Sequence, residues 1–216
     1  MESLWREGPA TLILTVFSMS KKKKSAKWTL IEWAALIGLL LIISTTSIGT
    51  IIQSRLQQAI LWLGIIRPTV ELATDRQPNA DLSVQLTTLD GDPFSLTAFE
   101  GKTVFINVWA TWCAPCLAEM PNIHSLYQQV ASDAIVFVMI SVDEDVDVVR
   151  QFVKQKGYTF PVYRLTHPLP AVYDSSVLPT TYIIAPNGKL VNKQVGMAQY
   201  DTAEFKAYLR QLSASS

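Results

Sequence analysis

The stretch Thr103–Cys116, TVFINVWATWCAPC, joins a strand pattern to a helix pattern through a pair of cysteines. The seven residues Thr103–Trp109 are mostly apolar, which is typical of a central strand buried on both faces. The residues after Cys113 suit a helix that runs to about Val130, with Pro121 inside it as a predicted kink. The cysteine pair therefore lies where a buried strand turns into a helix.

Cys113 and Cys116 are the only cysteines among the 216 residues. A thiolate is the reactive form of cysteine, and the positive end of a helix dipole stabilises it. The spacing therefore predicts thiol–disulfide exchange, with Cys113 as the nucleophile and Cys116 as the resolving thiol. A plain stabilising crosslink is the first alternative, but so short a loop restrains little chain entropy. Half of a zinc site is the second, with only His124 and His167 to complete it.

The rest of the chain predicts a mixed α/β fold. Strand patterns lie at 82–88, 94–96, 134–142, 160–164, 180–185 and 189–195, and helix patterns at 144–156, 170–174 and 202–212. Pro186-Asn187-Gly188 is a hairpin signal between the last two strands, and Gly157 is expected to end its helix. The order indicates a right-handed β-α-β crossover followed by a hairpin and a helix, hence a three-layer α/β sandwich with a mixed central sheet.

At this point the chain resembles the thioredoxin superfamily, and within it the membrane-anchored TlpA-like and ResA-like thiol–disulfide oxidoreductases. The resemblance covers about residues 81–213. It is carried by Phe105–Cys116, by Glu119-Met120-Pro121, by Leu178-Pro179-Thr180-Thr181 and by the Pro186-Asn187-Gly188 turn. Together these motifs are specific, whereas two cysteines three residues apart would not be.

The resemblance implies several site residues besides the cysteines. Pro179 is expected to be a cis proline that faces the disulfide, with the backbone of Leu178 pairing with a bound partner chain. Glu119 is expected to be a partly buried carboxylate that relays a proton to or from the resolving thiol. In the intervening dipeptide Pro115 offers no N–H to the sulfurs, and Trp112 is expected to shield them.

Two further predictions concern other polar residues. Cytosolic thioredoxins have a buried aspartate where this chain has Asn107, which cannot titrate; the resemblance therefore moves the proton-relay role to Glu119 or to water. The acidic stretch that begins at Asp143 is expected to be a solvated helix start with no catalytic role.

The N-terminal region predicts a membrane anchor. Ala34–Ile52 holds nineteen residues without a charge, and with Thr29–Trp33 it is long enough to span a bilayer. Lysines at 21–24 and 27 precede it, which predicts a cytoplasmic N-terminus and an extracytoplasmic C-terminal domain. A cleaved signal peptide is the alternative. Either way the cysteines lie outside the cytoplasm, where disulfides persist.

These patterns divide the chain into four parts. Residues 1–28 are a cytoplasmic tail, of which 1–18 precede Met19, the expected translation start; residues 29–52 are the anchor. Residues 53–80 form an amphipathic juxtamembrane segment and linker, and residues 81–216 the thioredoxin-like domain. Residues 1–33 carry six of the 18 basic and three of the 18 acidic side chains, so the remainder has a net charge of −3. A mildly acidic body gives no reason to expect nucleic acid as a partner.

The expected function is that of an extracytoplasmic oxidoreductase in the bacterial inner membrane. The resemblance implies that it reduces protein disulfides, for example in cytochrome c maturation. It needs no cofactor beyond the Cys113–Cys116 pair, and the resemblance implies an upstream membrane electron donor. A peroxiredoxin-like peroxidase is one alternative, but its P-x-x-x-T-x-x-C signature would need proline and threonine where this chain has Ile106 and Ala110. A copper carrier that uses the two soft thiolates is the other.

Overall fold

The computed structural model describes residues 32–38, 68, 77–173 and 176–215. The chain divides into two units, Met1–Ile42 and Ile43–Ser216. In the first unit the described residues 32–38 are helical. The remainder of the predicted anchor and almost all of the predicted juxtamembrane segment lie outside the described residues. Within the described ranges, no helix has both the length and the apolar character needed to cross a bilayer.

The second unit is built on a mixed sheet with helices between its strands. The strands are β1 (Gln85–Thr88), β2 (Pro93–Ser95), β3 (Thr103–Trp109), β4 (Ile135–Ser141), β5 (Val162–Leu165), β6 (Thr180–Ile184) and β7 (Leu190–Val195). The α-helices are α1 (Ala114–Val130), α2 (Val146–Lys156) and α3 (Ala203–Ser213), and 3-10 helices cover Leu96–Phe99 and Ala171–Tyr173.

The described strands form one seven-stranded sheet in the order β2-β1-β5-β4-β3-β6-β7. β4 pairs in parallel with β3 and β5, and the other pairings are antiparallel. The mixed sheet predicted from the sequence is therefore confirmed. β3 lies inside the sheet between β4 and β6, as its uninterrupted apolar pattern requires, and all seven of its residues are buried.

Alternate residues of β3 face two separate apolar clusters. Phe105 and Trp109 belong to a cluster formed with side chains of α1, α2 and α3. Val104, Ile106 and Val108 point the other way, into a cluster closed by Leu96 and Tyr173 from the two 3-10 helices. Because strand side chains alternate, Asn107 must share the face of Phe105 and Trp109, under the α-helices.

Most predicted elements are found, with bounds shifted by local polar contacts. β1 begins at Gln85 rather than Leu82, because Asp81 Oδ1 accepts hydrogen bonds from Ser83 N at 2.9 Å and Ser83 Oγ at 2.6 Å, a local turn that competes with strand pairing. α2 begins at Val146 because Asp145 caps it, accepting from Asp147 N at 2.8 Å. Gly157 ends α2 in the left-handed region, with φ of 67°, as predicted.

Candidate active site

Cys113 occupies the N-cap position of α1, as predicted. Its sulfur accepts a hydrogen bond from the backbone N–H of Cys116 at 3.3 Å, and the two cysteines form a disulfide with Cα atoms 5.3 Å apart. Cys113 is 6% exposed and Cys116 is fully buried. Cys113 is therefore the more exposed of the two sulfur-bearing residues, and its role as the nucleophile stays a prediction.

The strand-to-helix junction places this sulfur. β3 ends at Trp109, and Cys113 N donates to Ala110 O at 3.2 Å to close a turn. The helix then begins with the bond from Leu117 N to Cys113 O at 3.0 Å. Pro115 lies in the first turn, where a helix has no acceptor for its N–H groups and proline is tolerated. The remaining N–H groups and the helix dipole favour negative charge at this end, and so favour a thiolate at Cys113.

Pro179 lies at the same edge of the sheet. The Leu178–Pro179 bond is cis, as the resemblance implied. Thr180 opens β6 and pairs with Val108, so Pro179 lies level with the end of β3, where the turn to the cysteines begins. The Pro179 carbonyl accepts a hydrogen bond from Gly196 N at 2.9 Å, which ties this segment to the residue that follows β7.

Three exposed apolar side chains lie at the edge of the sheet where the turn to the cysteines begins. Trp112, directly before Cys113, is 64% exposed, whereas Trp109 is wholly buried in the core. Val177, two residues before Pro179, is 50% exposed, and Val195, which pairs with Thr180, is 48% exposed. Trp112 thus presents most of its surface to solvent beside the site. Where exposed apolar side chains form a contiguous patch, that patch commonly marks a surface that binds another protein.

Glu119 is fully rather than partly buried, which corrects the sequence-based expectation. It lies one helical turn after Cys116, on the same side of α1. Its Oε1 accepts from Asn107 Nδ2 at 2.8 Å and its Oε2 from Ala198 N at 3.1 Å. Burial raises the pKa of Glu119 to about 8, although both hydrogen bonds act in the opposite direction. A carboxyl group with this pKa can hold or release a proton near neutral pH.

The buried network continues to two residues that the sequence did not identify as part of the site. Asn107 Nδ2 also donates to Thr181 Oγ1 at 2.9 Å, and Tyr200 OH donates to the same oxygen at 2.7 Å. Burial, together with the charge of Glu119, raises the pKa of Tyr200 well above its usual range. A polar residue inside the apolar strand was the visible signal for Asn107. Thr181 was marked only as the last residue of the Leu178-Pro179-Thr180-Thr181 motif, and Tyr200 was not marked at all, because the bonds that join Thr181 to Asn107 and to Tyr200 exist only in the folded chain.

Asp143 is buried, contrary to the expectation of a solvated helix start. It precedes the cap of α2 and accepts hydrogen bonds from Thr111 and Ser141. The neighbouring acidic residues Glu144, Asp145 and Asp147 are exposed, as expected. The prediction was wrong because the stretch does not belong to the helix as a whole. Asp143 lies only two residues after β4, against the end of β3, and α2 begins at Val146.

The described residues contain no group of three or more histidine, cysteine or acidic side chains that could hold a metal ion. Both histidines contact neighbouring hydroxyls: His124 Nε2 lies 3.1 Å from Thr159 Oγ1, and His167 Nδ1 lies 3.1 Å from Thr166 Oγ1.

The AhpC/TSA family model matches residues 75–193. The thiol–disulfide oxidoreductase ResA of Oceanobacillus iheyensis is 35% identical over 131 residues, which are 60% of this chain and 68% of that protein. ResA of Bacillus cereus is 33% identical over 129 residues, 59% of this chain and 73% of that protein. A solved thioredoxin family protein from Chlorobium tepidum, described as a thiol:disulfide interchange protein, superposes with a TM-score of 0.55 at 29% identity, covering 65% of this chain and 99% of its own.

The thioredoxin-like fold and the cysteine pair at a helix N-terminus define a thiol–disulfide oxidoreductase. The chain belongs to the AhpC/TSA family, and within it the protein is an oxidoreductase of the ResA type.

Proposed function

We propose that this protein reduces disulfide bonds in protein substrates outside the cytoplasm, from an N-terminal membrane anchor. The observation that carries the proposal is the difference between the two sulfurs: Cys113 reaches the surface at a helix N-terminus, and Cys116 is buried behind it. That asymmetry suits a reaction in which one sulfur meets the substrate and the other completes the exchange.

The proposed reaction starts from the reduced pair. The Cys113 thiolate attacks one sulfur of the substrate disulfide, and the other substrate sulfur leaves as a thiolate that takes up a proton. The Cys116 thiolate then attacks Cys113, which forms the intramolecular disulfide and releases the second substrate thiolate. Two electrons pass from the cysteine pair to the substrate. A dithiol donor must then reduce the Cys113–Cys116 disulfide to restore the enzyme.

Glu119 is proposed to accept the proton that the buried Cys116 thiol must lose. Cys116 must lose a proton before it can attack, and Glu119 lies one turn along the same helix with a pKa of about 8. Because it is fully buried, this carboxyl group can exchange a proton inside the site where bulk water does not reach Cys116. Asn107 orients the carboxyl group through its hydrogen bond to Oε1.

The exposed apolar side chains of Trp112, Val177 and Val195 support a protein as the substrate. Trp112 and Val177 flank the cysteine and the proline segments, and their surface would be buried by a docked chain. We further propose that the substrates include the haem-site cysteines of apocytochrome c, as the likeness to the ResA-like branch implies. A peptide with two cysteines separated by two residues and followed by histidine, in oxidised form, is the direct test substrate.

The decisive measurement is a titration of the Cys113–Cys116 couple against glutathione. A strongly reducing potential supports reduction of substrate disulfides, and a potential near that of a strong oxidase would reverse the direction. Failure of the reduced protein to reduce the oxidised peptide would contradict the proposed substrate class.

The proposed location rests on the sequence. The uncharged run Ala34–Ile52 follows a lysine cluster, which favours a single span with the N-terminus inside. Labelling of the cysteines by a membrane-impermeant maleimide in spheroplasts would place them outside the cytoplasm. A mature N-terminus between residues 47 and 60 would show a cleaved signal peptide instead of an anchor.

A further inference from the structure

The loop that leads through Trp112 to Cys113 is held by the buried carboxylate of Asp143, two residues beyond the end of the neighbouring strand β4. Thr111 N donates to Asp143 Oδ2 at 3.0 Å, and Thr111 Oγ1 donates to Asp143 Oδ1 at 2.6 Å. Ser141 Oγ donates to Oδ2 at 2.7 Å. Both carboxylate oxygens are thus occupied, and hydrogen bonds to an ionised acceptor are stronger than neutral ones.

These bonds act on a segment only three residues long between two fixed points. On one side Trp109 ends β3, and its carbonyl accepts from Val142 N at 3.0 Å. On the other side Cys113 begins α1. Thr111 lies between them and donates both of its polar groups to Asp143. Trp112 follows directly, and it is largely exposed with no aromatic stacking partner among the described residues.

Asp143 is 9% exposed, and no lysine or arginine of the described residues lies within ion-pair distance of its carboxylate. The nearby Arg164 donates from Nη2 to the backbone carbonyl of Glu144 instead, at 2.9 Å. A buried carboxylate that has no ion pair depends on its hydrogen-bond donors, and Thr111 supplies two of them. The contact therefore constrains both partners strongly.

We propose that Asp143 is a positioning residue for the exchange reaction: by holding Thr111 it fixes the orientation of Trp112 and Cys113, so that a protein substrate meets the tryptophan and the sulfur in one geometry. This inference rests on the proposed function in that it assumes a protein substrate. It predicts that removing a hydrogen bond between Thr111 and Asp143 slows the reaction with proteins more than the reaction with small disulfides, because small disulfides need no docking surface.

The test compares three variants in the full-length chain in mild detergent. Thr111→Val has nearly the same shape but lacks the hydroxyl donor, whereas Thr111→Ser keeps that donor. Glu144→Gln serves as the control. Glu144 is exposed, follows Asp143 directly, and its side chain takes no part in the hydrogen bonds to Thr111. The readouts are the rate of insulin reduction and the rate with a small aromatic disulfide.

Both rates are measured at a pH above the midpoint of the Cys113 alkylation profile, so that the Cys113 thiol is ionised in every variant. Under that condition Thr111→Val is expected to slow insulin reduction about tenfold, as for the loss of one hydrogen bond to a charged group, and to change the rate with the small disulfide less than twofold. Thr111→Ser and Glu144→Gln are expected to stay within twofold of the parent protein in both assays. Equal rates for Thr111→Val and the parent with insulin, or equal slowing with both substrates, would overturn the proposal.

A second measurement separates this inference from the proposed function. In a Cys116→Ala background, the pH profile of Cys113 alkylation reports the thiol directly and needs no protein substrate. Thr111→Val is expected to move this profile to higher pH, because Cys113 would be held less firmly at the helix N-terminus, and Thr111→Ser is expected to restore it. An unchanged profile contradicts the positioning role, whereas a parent protein that fails to reduce insulin contradicts the proposed function alone.

Discussion

Asn107 and Glu119 lie on different elements, β3 and α1, and share a buried hydrogen bond of 2.8 Å between Nδ2 and Oε1. The bond orients a carboxyl group with a pKa of about 8, which lies on the same helix as the disulfide, one turn beyond Cys116. An asparagine can orient this group without competing for its proton. A second carboxylate at position 107 would couple to it and split the titration between the two.

The first prediction concerns the pH dependence of stability. The pKa of Glu119 is about 8 in the folded protein and 4.5 ordinarily, so between these values the folded state binds more protons than the unfolded state. The free energy of unfolding should therefore fall as pH rises from 4.5 to 8 and level off above. In Glu119→Gln, the decrease in the free energy of unfolding that Glu119 causes between these pH values should be absent. Urea unfolding of the oxidised protein at pH 5 and pH 8 measures it.

Glu100, which is exposed, offers the matched control for this measurement. Glu100→Gln should keep the pH dependence of the parent protein. If Glu119→Gln showed the same fall in stability as the parent, the raised pKa would not belong to Glu119.

The second prediction ranks the members of the buried network. Asn107→Ala leaves Glu119 Oε1 and Thr181 Oγ1 without their shared donor, and an unsatisfied buried group costs about 1–3 kcal/mol. Tyr200→Phe removes one donor to Thr181 and leaves the bond to Glu119 intact, so it should cost only about 1 kcal/mol. Chemical unfolding at pH 7 compares the two. An equal or larger loss for Tyr200→Phe would show that Asn107 is not central to the network.

The third prediction concerns the exposed tryptophan. Trp112→Ala should leave the free energy of unfolding nearly unchanged, because the side chain is 64% exposed, and should slow reduction of protein disulfides. Val148→Ala, on the exposed side of α2, is the control and should affect neither. Unfolding curves and insulin reduction are the measurements. A large loss of stability in Trp112→Ala would mean that the ring packs against the domain rather than against a substrate.

The fourth prediction tests the roles of the two cysteines. Cys116→Ala removes the resolving thiol, so mixed disulfides with substrate proteins should accumulate through Cys113. Cys113→Ala should trap far less, because Cys116 is buried. Mass spectrometry of the adducts identifies the linked cysteine. Adducts that form through Cys116 would reverse the assignment.

Local patterns determined much of this protein. The alternation and apolar runs predicted the order of the described strands and helices, and the cysteine spacing after a buried strand predicted the helix N-terminus that holds Cys113. The shifted boundaries of β1 and α2 have a simple cause. Short side chains such as Asp81 and Asp145 bond to nearby backbone groups, and these local bonds override the wider apolar pattern.

The burial of charge was decided by tertiary structure alone. The sequence predicted a partly buried carboxylate at Glu119 and a solvated one at Asp143, yet the first is fully enclosed between α1 and β3 and the second is buried just beyond the end of β4. Their donors, Asn107 and Thr111, are 12 and 32 residues away. Sequence periodicity reports only which face of an element a residue occupies; how closely another element covers that face depends on packing between distant segments. That packing removes Glu119 from water and so raises its pKa. It also brings Asp143 against Thr111, which fixes the loop before Cys113.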